Sequence, residues 1–267
     1  RSSDLVCFIE YITIIQHDLT NAIGSISSQQ IQNQLEVIAP DLVPYFKWAY
    51  GSNTSLFASD GQLLTTSKCG VRQGDPLGPL LFCVGLNSVL SDFSSTFPDV
   101  NIAAYMDDIT LCGPAELMTE ALDWLEVHHL LSIGLNLNHL KTKCYGMPVD
   151  NVPHEYGGLK VLGCPVGTNL YTDQMLTELF QSMNTSISKV KKLSPQFAIP
   201  ILRYCVSSKA TYFLRLVHPI HTRRHAEQFD SEVMKVIEHL VGCPLEAINR
   251  KGFPSEKADL EFLSKPR

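Results

Sequence analysis

The sequence predicts an α+β protein, with a body of mixed strands and helices followed by a mostly helical region. Short β-branched runs alternate with segments of helical periodicity over roughly the first 170 residues. From about Thr172 onward the pattern is helical, and prolines 195, 200 and 219 break or start helices. The 267 residues are 45% hydrophobic and 18% charged, which is the composition of a globular rather than a disordered chain.

The first predicted strand is YITIIQHD, residues 11–18. Its β-branched apolar residues are typical of a buried strand, and Asp18 lies at its carboxyl end. A helix is expected next, because Ser27 and Gln30 have the spacing of a capping box. Ile31, Leu35 and Ile38 then recur at helical spacing.

Two further amphipathic helices and one short strand or turn follow. The first helix is PLGPLLFCVGLNSVLSDF, residues 76–93, started by Pro76 or Pro79. Its predicted apolar face consists of Leu77, Leu80, Leu81, Val84, Val89, Leu90 and Phe93. The second helix covers 115–133, with Met118, Leu122 and Leu125 on one face, and stops at Gly134. KVLGCPVG, residues 160–167, is typical of a strand or turn.

The stretch AAYMDDITLCG, residues 103–113, places two adjacent acids between apolar arms. This pattern predicts a tight hairpin with Asp107 and Asp108 at its tip. Carboxylates brought together in a partly buried place repel one another unless a cation neutralises them, and Mg²⁺ prefers such oxygen ligands. Asp18, Asp107 and Asp108 together would supply the ligands of a two-metal phosphoryl-transfer site, with the ions about 3.5–4 Å apart. The alternative is that the two acids mark an exposed turn.

Charge is distributed unevenly along the chain. The net charge of −6 argues against a nucleic-acid partner, since phosphate binding depends on Lys and Arg. Residues 187–224, however, hold eight basic residues and no acid. The basic residues considered for a nucleic-acid grip are Lys189, Lys191, Lys192, Arg203, Lys209 and Arg215, interleaved with Phe197, Tyr204, Tyr212 and Phe213. The alternative is a solvated helix face over core aromatics.

The spacing of the cysteines and the amino-terminal sequence indicate the cellular compartment. Eight cysteines are widely spaced with no C-x-x-C pair, which favours small buried apolar residues in a reducing compartment over disulfides or a zinc site. The amino-terminal residues contain neither a signal peptide nor an apolar run long enough to span a bilayer. We expect an intracellular, unexported chain without a membrane partner, and its placement in nucleus or cytoplasm stays open.

Five ordered segments resemble the reverse transcriptases of retrotransposons that lack long terminal repeats. AYMDD resembles their Y-x-D-D hairpin, and GVRQGDPLGPLLF (70–82) their Gln-Gly-x-Pro segment. HDLTNAIGSIS (17–27) is similar to the segment with the first catalytic Asp. GLNLNHLKTK (134–143) and VLGCPVG (161–167) resemble the Gly-x-x-x-Asn-x-x-Lys-Thr element and the Leu-Gly turn that supports the primer.

The resemblance implies a right-hand polymerase palm, an antiparallel sheet with packed helices, over 1–170. A helical thumb and C-terminal extension would follow over 171–267. The function implied is an RNA-directed DNA polymerase that extends a DNA primer 3′-hydroxyl on an RNA template with dNTPs. It would use two Mg²⁺ ions, with Mn²⁺ as an alternative, and no small-molecule cofactor.

Site residues follow from the resemblance position by position. Asp18 and Asp107 would hold the metals, Asp108 would assist, and the Leu19 carbonyl would complete one shell. Gln73 and Gly74 would line the nucleotide and template pocket, with Gly74 allowing close approach. Lys141 would lie near the triphosphate, unless it is an ordinary surface lysine. Tyr105 would pack toward the primer end, or else belong to the core.

Two departures from the family pattern bear on activity. Ile23 stands where the family usually has Phe or Tyr, whose ring blocks a ribose 2′-hydroxyl, so the resemblance implies weaker exclusion of ribonucleotides or a copy that has lost activity. The chain also begins seventeen residues before Asp18, which predicts that most of the fingers subdomain is missing. The alternative function is therefore a truncated or degenerate retrotransposon remnant that binds nucleic acid without catalysis.

Overall fold

The computed structural model describes residues 12–242. The chain divides into two compact units between Gly167 and Thr168. The first unit contains antiparallel sheets with packed helices, and the described part of the second is helical. The predicted α+β class, with an antiparallel sheet and a helical C-terminal region, is confirmed.

A four-stranded antiparallel sheet forms the centre of the first unit, in the order β4-β5-β1-β6. Two separate hairpins pair β2 with β3 and β7 with β8. The strands are β1 Ile12–Asp18, β2 Thr54–Phe57, β3 Leu63–Ser67, β4 Asn101–Tyr105, β5 Asp108–Pro114, β6 Lys143–Tyr145, β7 Gly158–Val161 and β8 Cys164–Gly167.

Strand β1 confirms the predicted strand, with Asp18 as its last residue. Alternate side chains point to opposite faces of a strand. Thr13, Ile15 and His17 are accordingly buried, whereas the residues between them are half-buried. The strand thus places Asp18 on the face opposite the core.

Helices cover the core face of the central sheet. In chain order they are α1 Ala22–Ser25, α2 Ser28–Ile38, α3 Val43–Tyr50, α4 Gly78–Thr96 and α5 Ala115–Asp123. The core is formed by Ile15, Ile109 and Leu111 from the strands together with Ile31, Leu35, Leu81, Phe82 and Met118 from the helices. Between residues 12 and 242, no helix is both long and apolar enough to cross a bilayer.

Helix α2 begins as predicted, with Ser27 accepting a hydrogen bond from the Gln30 amide at 3.4 Å. The reciprocal half of the capping box does not form. The Gln30 side chain instead donates to Ser88 Oγ at 2.8 Å, on α4. Ile31 and Leu35 are buried, but Ile38 is half exposed, because the helix ends there.

Helix α4 starts at Gly78, with Pro79 in its first turn, which decides between the two proposed prolines. Leu81, Val89 and Phe93 lie on the buried face. Leu80 was wrongly assigned to that face: it is 48% exposed. At about 100° per residue, Leu80 lies on the side of the helix opposite Phe82 and Val89, which are at the middle of the buried face.

The helix predicted over 115–133 is continuous but irregular. Helix α5 passes into a π-helical segment, Trp124–Leu130, and then a 3-10 turn, Leu131–Ile133. It ends as predicted at Gly134, whose φ of 84° is left-handed. Met118 and Leu125 are buried, so the predicted apolar face is formed.

The second unit contains four helices among its described residues. These are α6 Asn169–Val190, α7 Pro195–Ile201, α8 Ser207–Leu216 and α9 Pro219–Val241. Pro195 and Pro219 each occupy a first turn, where the missing amide proton costs little. Pro200 lies inside α7, which continues as a π-helical segment, Leu202–Val206.

The prediction that the cysteines are buried is only partly confirmed. Cys144 and Cys164 are buried, and Cys112 is intermediate. Cys69, Cys83 and Cys205 are exposed. Cys7 and Cys243 lie outside the described residues.

Candidate active site

The predicted hairpin is formed by β4 and β5, joined by a two-residue turn, Met106 and Asp107. Tyr105 pairs directly with Asp108 across the turn. Met106 has a φ of 57°, a region that residues other than Gly, Asn and Asp seldom occupy. A positive φ at the first central residue of a two-residue hairpin normally selects glycine. The turn therefore holds Asp107 at its tip in a strained backbone.

Asp18 lies beside this tip. The β1–β5 register pairs Asp18 with Asp108, so both side chains lie on the same face of the sheet. Directly paired residues have Cβ atoms about 4.5–5.5 Å apart. Asp107 precedes Asp108, and all three acids are partly exposed. The fold thus brings Asp18 beside two adjacent carboxylates that lie about 90 residues later in the sequence.

The electrostatics of this cluster favour a cation. Burial raises the pKa of Asp108, and the nearby carboxylates of Asp107 and Asp18 raise it further. The positive charge of Lys141 lowers the pKa of Asp108. The ionised cluster is therefore unfavourable until positive charge is added.

Lys141 supplies one such charge. Its Nζ donates a hydrogen bond to Asp18 Oδ2 at 2.7 Å. This bond and the charge of Asp18 raise the pKa of Lys141, and Asp107 and Asp108 add to the effect. Lys141 is therefore an exposed lysine whose ammonium pairs with the acidic cluster.

Hydrogen bonds between backbones join the Lys141 loop to the end of β1. The Asn138 amide donates to the Asp18 carbonyl at 2.8 Å, and the Thr20 amide donates to the Asn136 carbonyl at 2.9 Å. These two bonds flank Leu19, which forms an isolated antiparallel bridge with Leu137. Because the hydrogen bonds are made by the residues on either side of Leu19, the amide and carbonyl of Leu19 itself point away from the Leu137 segment. The Leu19 carbonyl thus points to the side on which β5 lies.

His17, which was not anticipated from the sequence, lies beneath this loop. Its Nδ1 is 3.1 Å from Thr142 Oγ1, and that hydroxyl donates to the Asn138 carbonyl at 3.0 Å. The hydroxyl proton is thus engaged, so His17 Nδ1–H must be the donor of the first bond. Nε2 has no hydrogen-bond partner, and burial lowers the pKa of His17 to about 4, with His139 adding to the shift. His17 is a buried, neutral support of the loop that carries Lys141.

Gln73 and Gly74 occupy the central positions of a β-turn. The Asp75 amide donates to the Arg72 carbonyl at 3.2 Å, and Gly74 has a φ of 91°. Positive φ at the third residue is the pattern of a type II turn, which favours glycine there. A Cβ on Gly74 would meet no protein atom within 4 Å, so within the protein the positive φ is what favours glycine here. Gln73 and Gly74 are both exposed to solvent.

Ile23 lies next to the segment that leads into this turn. The Val71 amide donates to the Ile23 carbonyl, and the Gly70 amide to the Ile26 carbonyl, both at 2.8 Å. A Cβ on Gly70 would collide with the backbone of Gly24, so these two backbone segments pass in direct contact. The Ile23 side chain is 36% exposed. The structure therefore connects Ile23 to the Gln73 turn through the backbone.

Tyr105 is not part of the core. It is 68% exposed at the end of β4, which excludes the interpretation as a core aromatic. It lies directly opposite Asp108 in the hairpin. Its ring is accessible to a ligand that approaches the carboxylates.

The donor set fits a hard divalent cation. Carboxylate oxygens and a backbone carbonyl are the ligands that Mg²⁺ prefers, and repulsion within the cluster supplies the driving force. Within the described range, no three or more His, Cys, Asp or Glu side chains are already arranged around one point. Asp18 would have to exchange its Lys141 contact for the ion.

The six predicted grip residues lie in the second unit and all are exposed: Lys189, Lys191, Lys192, Arg203, Lys209 and Arg215. They are spread over the end of α6, the following loop, the π-helical segment and α8. The Arg203 guanidinium lies over the Tyr204 ring, 5.3 Å from its centroid. The accessible charge that a polyanion would require is present.

Comparisons with known proteins agree with these features. Residues 9–166 match the family model of the reverse transcriptase (RNA-dependent DNA polymerase). The retrotransposable element SLACS 132 kDa protein of Trypanosoma brucei gambiense is 28% identical over 200 residues, which are 71% of this chain and 17% of that protein.

Two solved structures share the fold. Telomerase from Candida tropicalis, in complex with a TWJ fragment of telomeric RNA, covers 99% of this chain at 12% identity and a TM-score of 0.51. The apo telomerase of the same organism covers 98% at 10% identity, with a TM-score of 0.51. This chain spans 52% and 55% of those two chains, and a much smaller part of the retrotransposable element protein.

Proposed function

Because this chain belongs to the reverse transcriptase family, we propose that it is the core of an RNA-directed DNA polymerase of a retrotransposon without long terminal repeats. The primer 3′-hydroxyl would attack the α-phosphate of a dNTP and release pyrophosphate. The observation that carries the proposal is the register that sets Asp18 beside Asp108, next to the Asp107 turn. In this proposal the first unit is the palm and the second unit is the thumb.

The protein's own groups have distinct parts. Asp18 and Asp107 would hold two Mg²⁺ or Mn²⁺ ions, with Asp108 and the Leu19 carbonyl completing the oxygen ligands. Magnesium bound there would activate the attacking hydroxyl and stabilise the leaving oxygen.

Lys141 would have a second role in the same site. Its exposed ammonium balances Asp18 before the substrate enters. Once Asp18 turns to a cation, the ammonium is free to meet the triphosphate, either as a charge or as a proton donor. Tyr105 would contact the primer end, and Gln73 the nucleotide and template.

The nucleic-acid partner is supported by charge. The exposed basic residues of the second unit would contact the phosphates of an RNA template and its DNA primer. Aromatic residues near them, such as Tyr204, would pack on sugars or bases. Binding through such contacts weakens steeply as salt concentration rises.

Primer extension tests the proposal. The chain is incubated with an RNA template, a DNA primer, dNTPs and Mg²⁺, beside Asp107→Asn and a control, Asp41→Asn, which alters an exposed acid in the 3-10 turn before α3. We expect extension by the wild type and the control, and a loss of on the order of a hundredfold to a thousandfold in Asp107→Asn. Equal extension by Asp107→Asn would contradict the role of this carboxylate.

The second candidate is a nucleic-acid-binding remnant without catalysis. Ile23 favours it, because the family usually has an aromatic residue at this position. The same assay separates the candidates: an intact chain that binds a template–primer duplex in a salt-sensitive manner, yet extends no primer in Mg²⁺ or Mn²⁺, would support the remnant and overturn the polymerase.

A further inference from the structure

The turn that carries Gln73 is held at both of its ends by helix α3. Arg72 is the first residue of the turn and Asp75 the last. The Arg72 amide donates to the Tyr50 hydroxyl at 3.1 Å, and that hydroxyl donates to Asp75 Oδ2. A single phenolic oxygen therefore connects the two ends of the Arg72–Asp75 turn.

Further contacts fix the phenol and the turn around it. The Tyr50 ring stacks on Phe46 of the core, with centroids 5.1 Å apart. The Arg72 guanidinium lies 5.1 Å from the same ring and donates to Thr54 Oγ1 at 2.7 Å and to the Ala49 carbonyl. The turn therefore contacts both the ring and the hydroxyl of Tyr50.

Asp75 connects the turn to the start of α4. Its Oδ1 accepts the Leu77 amide at 2.9 Å, and its backbone carbonyl accepts the Gly78 amide at 3.0 Å. The hydrogen bond from Tyr50 is the main cause that lowers the pKa of Asp75, and burial together with this bond raises the pKa of Tyr50 to about 12. Near neutral pH Tyr50 is thus a protonated donor and Asp75 an ionised acceptor.

Tyr45 offers a natural comparison on the same helix. Its hydroxyl reaches the same carboxylate, but only at 3.4 and 3.5 Å. The hydrogen bond to the Arg72 amide is made by Tyr50. Loss of the Tyr45 hydroxyl should therefore leave the Arg72 end of the turn unchanged.

We propose that Tyr50 is a positioning residue that presents Gln73 to the incoming nucleotide and its template by closing the Arg72–Asp75 turn. The inference rests on the proposed function, in which Gln73 lines the nucleotide and template pocket. Tyr50 acts through the turn and does not itself touch substrate.

Tyr50→Phe tests the proposal, because it removes the hydroxyl and keeps the ring on Phe46. Amide hydrogen exchange over residues 71–78 is measured for the wild type, Tyr50→Phe and Tyr45→Phe. Tyr50→Phe removes both hydrogen bonds of the hydroxyl, so exchange at Arg72 and Asp75 should speed up by about fivefold to tenfold. Tyr45→Phe should exchange at the wild-type rate, and thermal unfolding verifies that both variants are folded.

Steady-state primer extension tests whether the turn affects nucleotide binding. Weaker placement of Gln73 removes binding shared by substrate and transition state, so Tyr50→Phe should raise the KM for dNTP about fivefold with kcat nearly unchanged. Unchanged exchange in Tyr50→Phe overturns the proposal. Faster exchange with an unchanged KM also overturns it, since the turn would then not present Gln73.

Failure of the proposed function gives a different result. A wild type that extends no primer refutes the polymerase assignment by itself. The exchange measurement needs no catalysis and still decides whether Tyr50 closes the turn.

Discussion

The ammonium of Lys141 lies 2.7 Å from the carboxylate of Asp18, a residue 123 positions earlier in the chain. An exposed ion pair of this kind contributes little to stability. Its importance is that one of three clustered carboxylates is already neutralised. A divalent cation and Lys141 must therefore compete for Asp18.

Lys141→Met should tighten metal binding and slow catalysis. Without the ammonium, repulsion among Asp18, Asp107 and Asp108 is relieved only by the cation. We expect the Mn²⁺ dissociation constant to fall by about threefold to tenfold, while primer extension falls at least about tenfold. Calorimetric titration with Mn²⁺ and single-nucleotide incorporation measure the two effects.

Lys143→Met is the matched control for Lys141→Met. Lys143 is also exposed and ion-paired, with Glu155 at 2.6 Å. Its loss should leave Mn²⁺ affinity and extension as in the wild type. A Lys141→Met protein that binds Mn²⁺ less tightly than this control would refute the competition.

Asp108→Asn should stabilise the metal-free protein at neutral pH. Burial and the neighbouring acids raise the pKa of Asp108 in the folded state, so its ionisation disfavours folding. Stability associated with Asp108 is present below the ordinary value of 3.8 and is lost as the pH rises through the raised value. Thermal unfolding of Asp108→Asn should thus occur at a higher temperature than that of the wild type at pH 7.

The advantage of Asp108→Asn should vanish at a pH below 3.8 and shrink when Mg²⁺ is added at pH 7. A variant no more stable than the wild type at pH 7 would mean that burial and the neighbouring acids do not disfavour ionised Asp108 in the folded protein.

His17 should make the protein less stable in mild acid. Burial lowers its pKa from 6.5 to about 4, so only the unfolded chain takes up the proton between these values. Stability is lost as the pH falls through this window, by on the order of 3 kcal/mol. Urea unfolding at pH 7 and pH 4.5 should show this loss in the wild type but not in His17→Leu.

The wild type and His17→Leu must be compared at the same pH. Protonation of Asp108 stabilises the folded protein as the pH falls over part of this range, which opposes the effect of His17. Identical pH dependence in the wild type and His17→Leu would show that His17 is protonated in the folded protein.

Ile23→Phe should improve discrimination against ribonucleotides. An aliphatic side chain is shorter than a ring, and Ile23 is accessible beside the segment that leads to Gln73. We expect the ratio of kcat/KM for dNTP over rNTP to rise about tenfold, a difference of about 1.4 kcal/mol. Ile23→Leu is the size-matched control. Equal ratios in all three proteins would remove Ile23 from sugar selection.

Local patterns predicted much of the fold. The alternation of β1, the cap at Ser27 and the two apolar arms around Asp107 are encoded within a few residues, and the structure confirms them. Errors arose where the rotation of a helix about its axis or a tertiary contact decides the surroundings of a side chain. Leu80 faces outward, and Gln30 binds Ser88 instead of its own helix end.

Contacts between distant segments could not be predicted in the same way. The Lys141–Asp18 pair and the bonds of Tyr50 to Arg72 and Asp75 depend on how loops return to the sheet. One signal was available for His17. His17 alternates in step with Thr13 and Ile15, which lie on the buried face of β1. A titratable side chain on a buried face needs a hydrogen-bond partner.

Direct measurement of metal binding tests the central claim, that Asp18, Asp107 and Asp108 together hold divalent cations. Mn²⁺ is titrated into the wild type, Asp107→Asn and Asp41→Asn, and bound ions are counted by electron paramagnetic resonance. We expect Mn²⁺ sites in the wild type and Asp41→Asn that weaken at least about tenfold in Asp107→Asn, equivalent to about 1.4 kcal/mol. Equal Mn²⁺ affinity and number in all three proteins would contradict the account.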